Sequence, residues 1–301
     1  AQNLNNEGTV PVLQSYGQWK HKFSDQFSFV GGIHYQYSKY GDDHSVEPRM
    51  SASWQFLPNQ TVSLGLGTYS QVQPEFIYFY KSLEDTARMQ YTQPNLDLQM
   101  TRSSQAVLGY NYVFNKTLRL KIEGYYQFLS NIPVEPDNSY ISMVNYGTSF
   151  SEYEYGKLVN KGTAYNYGTE LTFEKFLADN YYYLFTLSLF DSKYRASDGI
   201  LRNTRYNTNA IANLLGGYEW QLTNHNTLGI DIRFIWSEGE RKIPLNYSAS
   251  ASSGEAIYLV DKAYEERFRD YVRSDLRISY KINANTTHTL ALDVINVTNR
   301  Y

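Results

Sequence analysis

Charged residues in this chain recur at alternate positions, an order that could carry chemistry. Arg119, Lys121 and Glu123 step in twos, as do Asp231 with Arg233, and Arg273 with Asp275 and Arg277; Glu170 and Asp293 sit in similar surroundings. Gathered on one side of extended chain, such a set could guide a polar solute or meet a partner. The plainer reading is a hydrated wall of paired charges, worth roughly 0–1 kcal/mol per exposed pair, and it is favoured for any single residue. A second group is aromatic: Phe76, Tyr78, Phe79 and Tyr80, with Tyr153 and Tyr155 further on. Their ring faces could stack on a flat or apolar ligand at low entropic cost, although packing of a loop against itself is the commoner use. Five histidines, His21, His34, His44, His225 and His288, show no i,i+2 or H-x-x-x-H pairing. His34 and His44 are the two considered for haem or metal ligation, and a lone histidine is more often a polar surface residue.

Catalytic arrangements do not stand out. Gly65-Leu66-Gly67 has no helix after it and so makes no dinucleotide loop. Ser252-Ser253-Gly254 is loop composition rather than a nucleophile elbow. Glu265 and Glu266 beside Arg267 and Arg269 resemble the charged entry to a strand, and paired carboxylates alone are too common to argue glycoside hydrolysis. The chain has no cysteine, which excludes disulfides, thiolate metal sites and thiol nucleophiles. No enzyme and no cofactor are expected. A net charge of −3 gives no reason to expect a nucleic-acid partner.

The elements that position these residues are strands. In Thr227 to Ser237, Leu228, Ile230, Ile232, Phe234 and Trp236 share one parity, while Gly229, Asp231, Arg233 and Ser237 share the other with Ile235. Tyr271 to Ile282 repeats the arrangement, and Leu118, Leu120, Ile122, Tyr126 and Phe128 oppose Arg119, Lys121, Glu123 and Gln127. A helix would scatter these charges around its circumference; a strand sorts them to one side. The pattern extends to about twelve strands, over 16–24, 26–38, 45–57, 60–72, 97–114, 117–132, 158–177, 181–196, 203–222, 227–238, 269–283 and 288–299. Many are a dozen residues or longer, against roughly 5–6 in soluble proteins and about 9–11 needed to cross a hydrocarbon core.

Connections alternate between short polar turns (24–26, 58–60, 115–116, 178–180, 224–226, 284–286) and longer segments (39–44, 73–96, 133–157, 197–202, 239–268). If the strands run up and down, all tight turns share one rim and all long loops the other, as in outer-membrane barrels. Aromatics crowd the tight turns: Trp54, Phe56, Tyr112, Phe114, Phe173, Tyr181, Tyr183, Tyr218, Trp220 and Tyr280. That placement suits a membrane interface. The apolar stripes just described carry no Lys or Arg, a residue that would cost roughly 2–4 kcal/mol facing lipid at mid-depth. A mean hydropathy of −0.52 and no apolar run near about 18 residues exclude transmembrane helices but not a barrel, whose strands are only half apolar. The expected fold is all-β, an antiparallel up-and-down transmembrane β-barrel, or a fragment of one. Alternation alone also fits a soluble β-rich module such as a glycan binder.

Several stretches resemble TonB-dependent outer-membrane receptors. Val46-Glu47-Pro48-Arg49, opening VEPRMSASWQF, is similar to that family's E-P-R strand start, and NYGTELTFEK from Asn166 to Lys175 to its Y-G-x-E-L strand. SDGILRNTRYN (Ser197 to Asn207) and RSDLRISYKIN (Arg273 to Asn283) resemble later barrel strands, and HTLALDVINVTNR (His288 to Arg300) the family's terminal L-x-V-x-N-V-T-N-R. The resemblance runs from about residue 16 onward. It implies a 22-stranded barrel with an N-terminal plug, set in the outer membrane of a Gram-negative cell. Its implied partners are membrane lipid, the plug, TonB and a scarce nutrient: siderophore, haem, oligosaccharide, peptide or vitamin. Residues 1–301 read as a single domain, the C-terminal part of that barrel, without the plug and TonB-box segment and without the family's final hairpin. The ten alternating charges would then face the lumen, and the loop aromatics the substrate. A passive porin-like or adhesin barrel is the alternative.

Overall fold

A computed structural model of the chain describes residues 9–85, 90–147 and 156–300. Twelve long strands run β1 Val12–Lys22, β2 Phe27–Ser38, β3 Asp43–Leu57, β4 Gln60–Gln71, β5 Thr101–Asn115, β6 Leu118–Val134, β7 Val159–Ala178, β8 Tyr181–Arg195, β9 Ala210–Gln221, β10 Asn226–Ser237, β11 Tyr271–Asn283 and β12 Thr287–Val294. Each pairs antiparallel with its neighbour in chain order, so the sheet is an up-and-down meander. A short strand at Leu201–Asn203 adds to the outer end of β8.

Local chemistry makes the tight rim. Asp179 and Asn180 take φ of 54° and 71°, the left-handed pair that a two-residue hairpin needs and that Asp and Asn tolerate. The Asn115 side chain accepts from the backbone N–H of Thr117 and of Leu118, at 2.9 and 3.0 Å. Ser24 Oγ accepts likewise from Gln26 and Phe27. Once these turns fix register, alternation along each strand becomes alternation across the whole sheet.

The first strand starts four residues early, at Val12 rather than 16, and three further strand ends depart from the periodicity, each because a side chain takes over a backbone group. The ninth strand starts at Ala210 rather than near 203. Asn207 Oδ1 accepts from Ser192 N–H at 3.1 Å, its amide donates to Asp191 at 2.7 Å, and Asn209 turns left-handed. The fifth starts at Thr101 rather than 97, since Met100 N–H donates to the Asp43 carboxylate at 2.9 Å. The last stops at Val294, where Asn296 N–H donates to Asp275 at 2.9 Å and Asn296 and Asn299 adopt positive φ.

The buried apolar groups do not lie between layers. They form two clusters at the long-loop rim, one of Ile77, Tyr78, Tyr80, Leu98 and Leu158, the other of Ile132, Val134, Ala164, Tyr194 and Ala196. Two short helices, α1 Glu75–Tyr78 and α2 Tyr247–Ser253, also belong to these loops. The Asn246 side chain caps α2 by accepting from Ala249 N–H, and Gly254 closes it at φ 75°. Along the strands, Leu64, Leu108, Leu214 and Ile232 are 43–57% exposed on a face that no second sheet covers.

Candidate functional site: the polar face and its outer rim

Register places all ten alternating charges on one face. Glu123 pairs directly with Glu170, Asp231 with Arg277, Arg233 with Asp275, and Arg277 with Asp293. They fall into two groups, Arg119, Lys121, Glu123 and Glu170 on β6–β7, and Asp231, Arg233, Arg273, Asp275, Arg277 and Asp293 on β10–β12. Ion pairs knit each: Arg119 to Glu174 at 2.9 Å, Lys121 to Glu123 at 2.6 Å, Arg273 to Asp275 at 2.8 Å and Arg277 to Asp293 at 3.1 Å. The Tyr182 hydroxyl on β8 donates to Asp231 Oδ1 on β10 at 2.6 Å, reaching across β9. It can do so because the residue between them is Gly217; a Cβ there would stand 2.6 Å from the Tyr182 ring. Lys281 reaches Glu219 across β10 in the same way, at 2.5 Å.

A third polar group was visible in sequence only as a motif. Glu47 is 1% exposed and accepts from Ser70 N–H at 2.8 Å, Arg49 Nη2 at 2.5 Å and the Ser70 hydroxyl, with His34 Nδ1 at 2.9 Å. Arg49 also lies over the Tyr69 ring at 4.3 Å. Buried carboxylates persist when every lone pair is occupied, and four donors from β2, β3 and β4 converge here. No spacing rule flags the group, because Ser70 and His34 stand 23 and 13 residues from Glu47. His34 and His44 do not come together: His34 shares the face of Glu47, while His44 accepts or donates on the opposite face with Tyr35 at 2.7 Å. Among the described residues no group of three His, Cys, Asp or Glu side chains could hold a metal ion.

The loop aromatics divide. Tyr78 and Tyr80 are buried, at 0% and 9% exposed. Tyr78 stacks on Tyr40 at 5.3 Å, and burial pushes its hydroxyl above the ordinary phenol range. Packing is therefore the work of these two rings, a correction to their candidacy for ligand contact. Phe79 meets Tyr40 edge-on at 5.6 Å and Phe76 meets Tyr146 at 5.4 Å, both half-buried. Tyr153 and Tyr155 lie outside the described residues. Between α1 and the loop after β6 opens a cavity of about 270 Å³, lined by Val72, Gln73, Ile77, Leu129, Ile132 and Met143 among others.

The opposite face carries the turn-side aromatics in a nearly continuous chain. Centroid distances are 5.7 Å for Trp54–Phe56, 6.5 Å for Phe56–Tyr110, 4.1 Å for Tyr112–Phe114, 6.3 Å for Phe114–Phe173, 5.5 Å for Phe173–Tyr183 and 4.6 Å for Tyr218–Trp220. A sheet of twelve long strands, polar on one face, apolar and uncovered on the other, and ringed by aromatics at its tight turns, is the wall of a membrane β-barrel.

The family model described as TonB dependent receptor-like, beta-barrel matches residues 2–297, and the chain belongs to that family. The family is one of transport receptors, not of enzymes. Solved structures of similar fold include the FrpB iron transporter from Neisseria meningitidis (F3-3 variant), at 15% identity and TM-score 0.65 over 97% of this chain and 42% of that one. The ferric yersiniabactin uptake receptor FyuA from Yersinia pestis aligns at 12% identity and TM-score 0.65, covering 97% and 41%. The outer membrane transporter YddB from Escherichia coli aligns at 14% and 0.64, covering 91% and 40%. The chain thus spans about two fifths of the length of these proteins. No curated protein matches it in sequence.

Proposed function

We propose that this chain is the wall and outer loops of an outer-membrane receptor that takes up a scarce nutrient in a Gram-negative cell, with energy delivered through TonB in the whole protein. The observation that carries this reading is the sidedness of the sheet. Ten charges and the Glu47 cluster share one face, which would line a watery bore holding a plug, while the other face, apolar and aromatic at the turn rim, would look out at acyl chains. The paired charges would keep the bore hydrated and give a plug a polar surface to slide or unfold against. The long loops would gather substrate at the opposite rim.

FrpB is named an iron transporter and FyuA a ferric yersiniabactin uptake receptor, which makes an iron chelate the first substrate to try. Haem, oligosaccharide, peptide and vitamin come next. The half-buried rings of Phe76 and Phe79, on the loop segment that also carries Ile77 of the cavity wall, are the candidates for contact with such a ligand. The test is uptake by cells that carry or lack the intact gene, across a panel of iron sources and carbon sources, each with and without TonB. Loss of one uptake on deleting either gene is expected. Uptake that survives removal of TonB would mean a passive pore instead.

A further inference from the structure

The polar face changes character toward the loop rim of β5 to β8. Register sets Gly67, Gln105, Gln127, Asn166 and Ser192 abreast on neighbouring strands from β4 to β8. The side chains join in one hydrogen-bonded belt. Thr204 donates to Ser192 at 2.8 Å, Ser192 to Asn166 at 2.6 Å and Asn166 to Gln127 at 2.7 Å. Gln127 and Gln105 then both donate to the Ser103 hydroxyl, at 3.0 and 3.1 Å. No member of the belt is charged. From Thr204 to Ser103 the bonds run in one direction, so each polarises the next. Among the described residues the Ser103 proton and the Gln105 carbonyl oxygen find no partner, and each amide has a second N–H to give.

The next positions toward the turns supply apolar surface. Tyr125 stands beside Gly168 in register, and the missing side chain leaves its ring room: a Cβ there would lie 2.9 Å from the Tyr125 hydroxyl and 2.7 Å from Phe190. At the Gln105 end the wall sinks into a hollow of about 390 Å³, bounded by Arg49, Tyr69 and Gln105, where a Cβ on Gly65 would meet nothing within 4 Å. That volume lies within the range of small-molecule sites, about 300–1,000 Å³. Charge and donors decide what such a surface holds. An anionic chelate would find no free cation, since Arg49 is held by Glu47 at 2.5 Å. The next ionised groups toward the turns are Glu170 and the Lys121–Glu123 pair; Glu123 and Glu170 lie four residues along their strands, roughly 13 Å away. A sugar hydroxyl both donates and accepts, which matches a row where amide N–H, carbonyl and hydroxyl alternate. The C–H face of a pyranose packs on an aromatic ring.

Resting on the receptor reading above, we propose that the belt, Tyr125 and the adjoining hollow form a subsite in the bore wall for an uncharged, hydroxyl-rich solute, an oligosaccharide, on its way inward from the loops. Of the nutrients named above, it is the oligosaccharide whose groups match this part of the wall.

The test uses the intact receptor, extracted in mild detergent, and calorimetry with neutral glucan, mannan and xylan oligosaccharides. Saturable binding of at least one is expected. It should weaken about thirtyfold in the double variant Gln127→Leu/Asn166→Leu, through the loss of two neutral hydrogen bonds, and stay unchanged in Lys116→Gln at the turn rim. Tyr125→Phe should bind as the unaltered receptor does, and Tyr125→Ala about tenfold more weakly. Unaltered affinity in the double variant overturns the proposal. One comparison needs no variant: the permethylated form of the bound sugar should not bind, because a belt built for hydroxyls is left unpaired against methyl ethers. Equal binding of the native and permethylated sugars overturns the proposal even if the variants fail to fold. So does displacement of the sugar by a neutral oligopeptide, which would mark a general amide site. If no oligosaccharide binds, the subsite falls, and TonB-dependent uptake of another nutrient would leave the receptor reading standing. A receptor recovered in buffer without detergent removes both.

Discussion

Glu47 shows how much one buried carboxylate can require of its surroundings. Its oxygens hold β2, β3 and β4 together through His34, Arg49 and Ser70, and a buried acceptor stripped of its charge leaves donors from all three poorly served. Glu47→Gln in the intact receptor is expected to cost about 2–3 kcal/mol of unfolding free energy. His34→Gln, which removes one of several donors, should cost less than about 1 kcal/mol; denaturant unfolding in detergent separates them. Gly217 is the second such residue. Its missing side chain makes room for the Tyr182–Asp231 hydrogen bond, so Gly217→Val should force the ring away and cost about 1–3 kcal/mol by overpacking. Tyr182→Phe, which keeps the ring and loses only the hydrogen bond, should cost about 1 kcal/mol. Glu47 shows in the chain only as part of the E-P-R motif, with nothing to say that it is buried, and Gly217 is one of 19 glycines.

Strands, by contrast, declare themselves. About twelve were expected and twelve long ones pair in chain order, because alternation over a dozen residues has no helical reading. Their ends were legible only where the stopping residue acts on its own chain, as Asn115 and Asp179–Asn180 do at the tight turns. Where the stop depends on a distant partner the periodicity overruns. Asn207 at Ser192 and Asp191 illustrates this, as does Asp43 at Met100. The two-sidedness of the strands gives a direct contrast between faces. Ile232→Arg on the apolar face should destabilise refolding into lipid vesicles by about 2–4 kcal/mol. Ser188→Arg on the polar face, opposite Glu170 in register, should change it by less than about 1 kcal/mol. Equal penalties for the two would mean that both faces see the same medium.

At the scale of the whole molecule the sheet has two free edges: among the described residues β1 and β12 each pair on one side only. Exposed edges of this length invite further pairing, and the chain covers about two fifths of proteins with a similar wall. In the intact receptor both edges are expected to be closed by further strands. Hydrogen exchange then finds the amides of Val12–Lys22 and Thr287–Val294 protected like those of β6 and β7, and fast exchange there would place the edges in solvent. The sequence by itself determined the strand count, the two-faced character of each strand, the alternation of tight and long connections, and the motifs of a receptor barrel. Those properties arise between residues close along the chain, where spacing alone sets geometry. Tertiary structure decided the rest: that Tyr78 and Tyr80 are loop core, that four donors meet at Glu47, and that Tyr182 crosses Gly217 to Asp231. Each depends on which residues of separate strands lie abreast, and register is a property of the assembled sheet that turns and packing fix together.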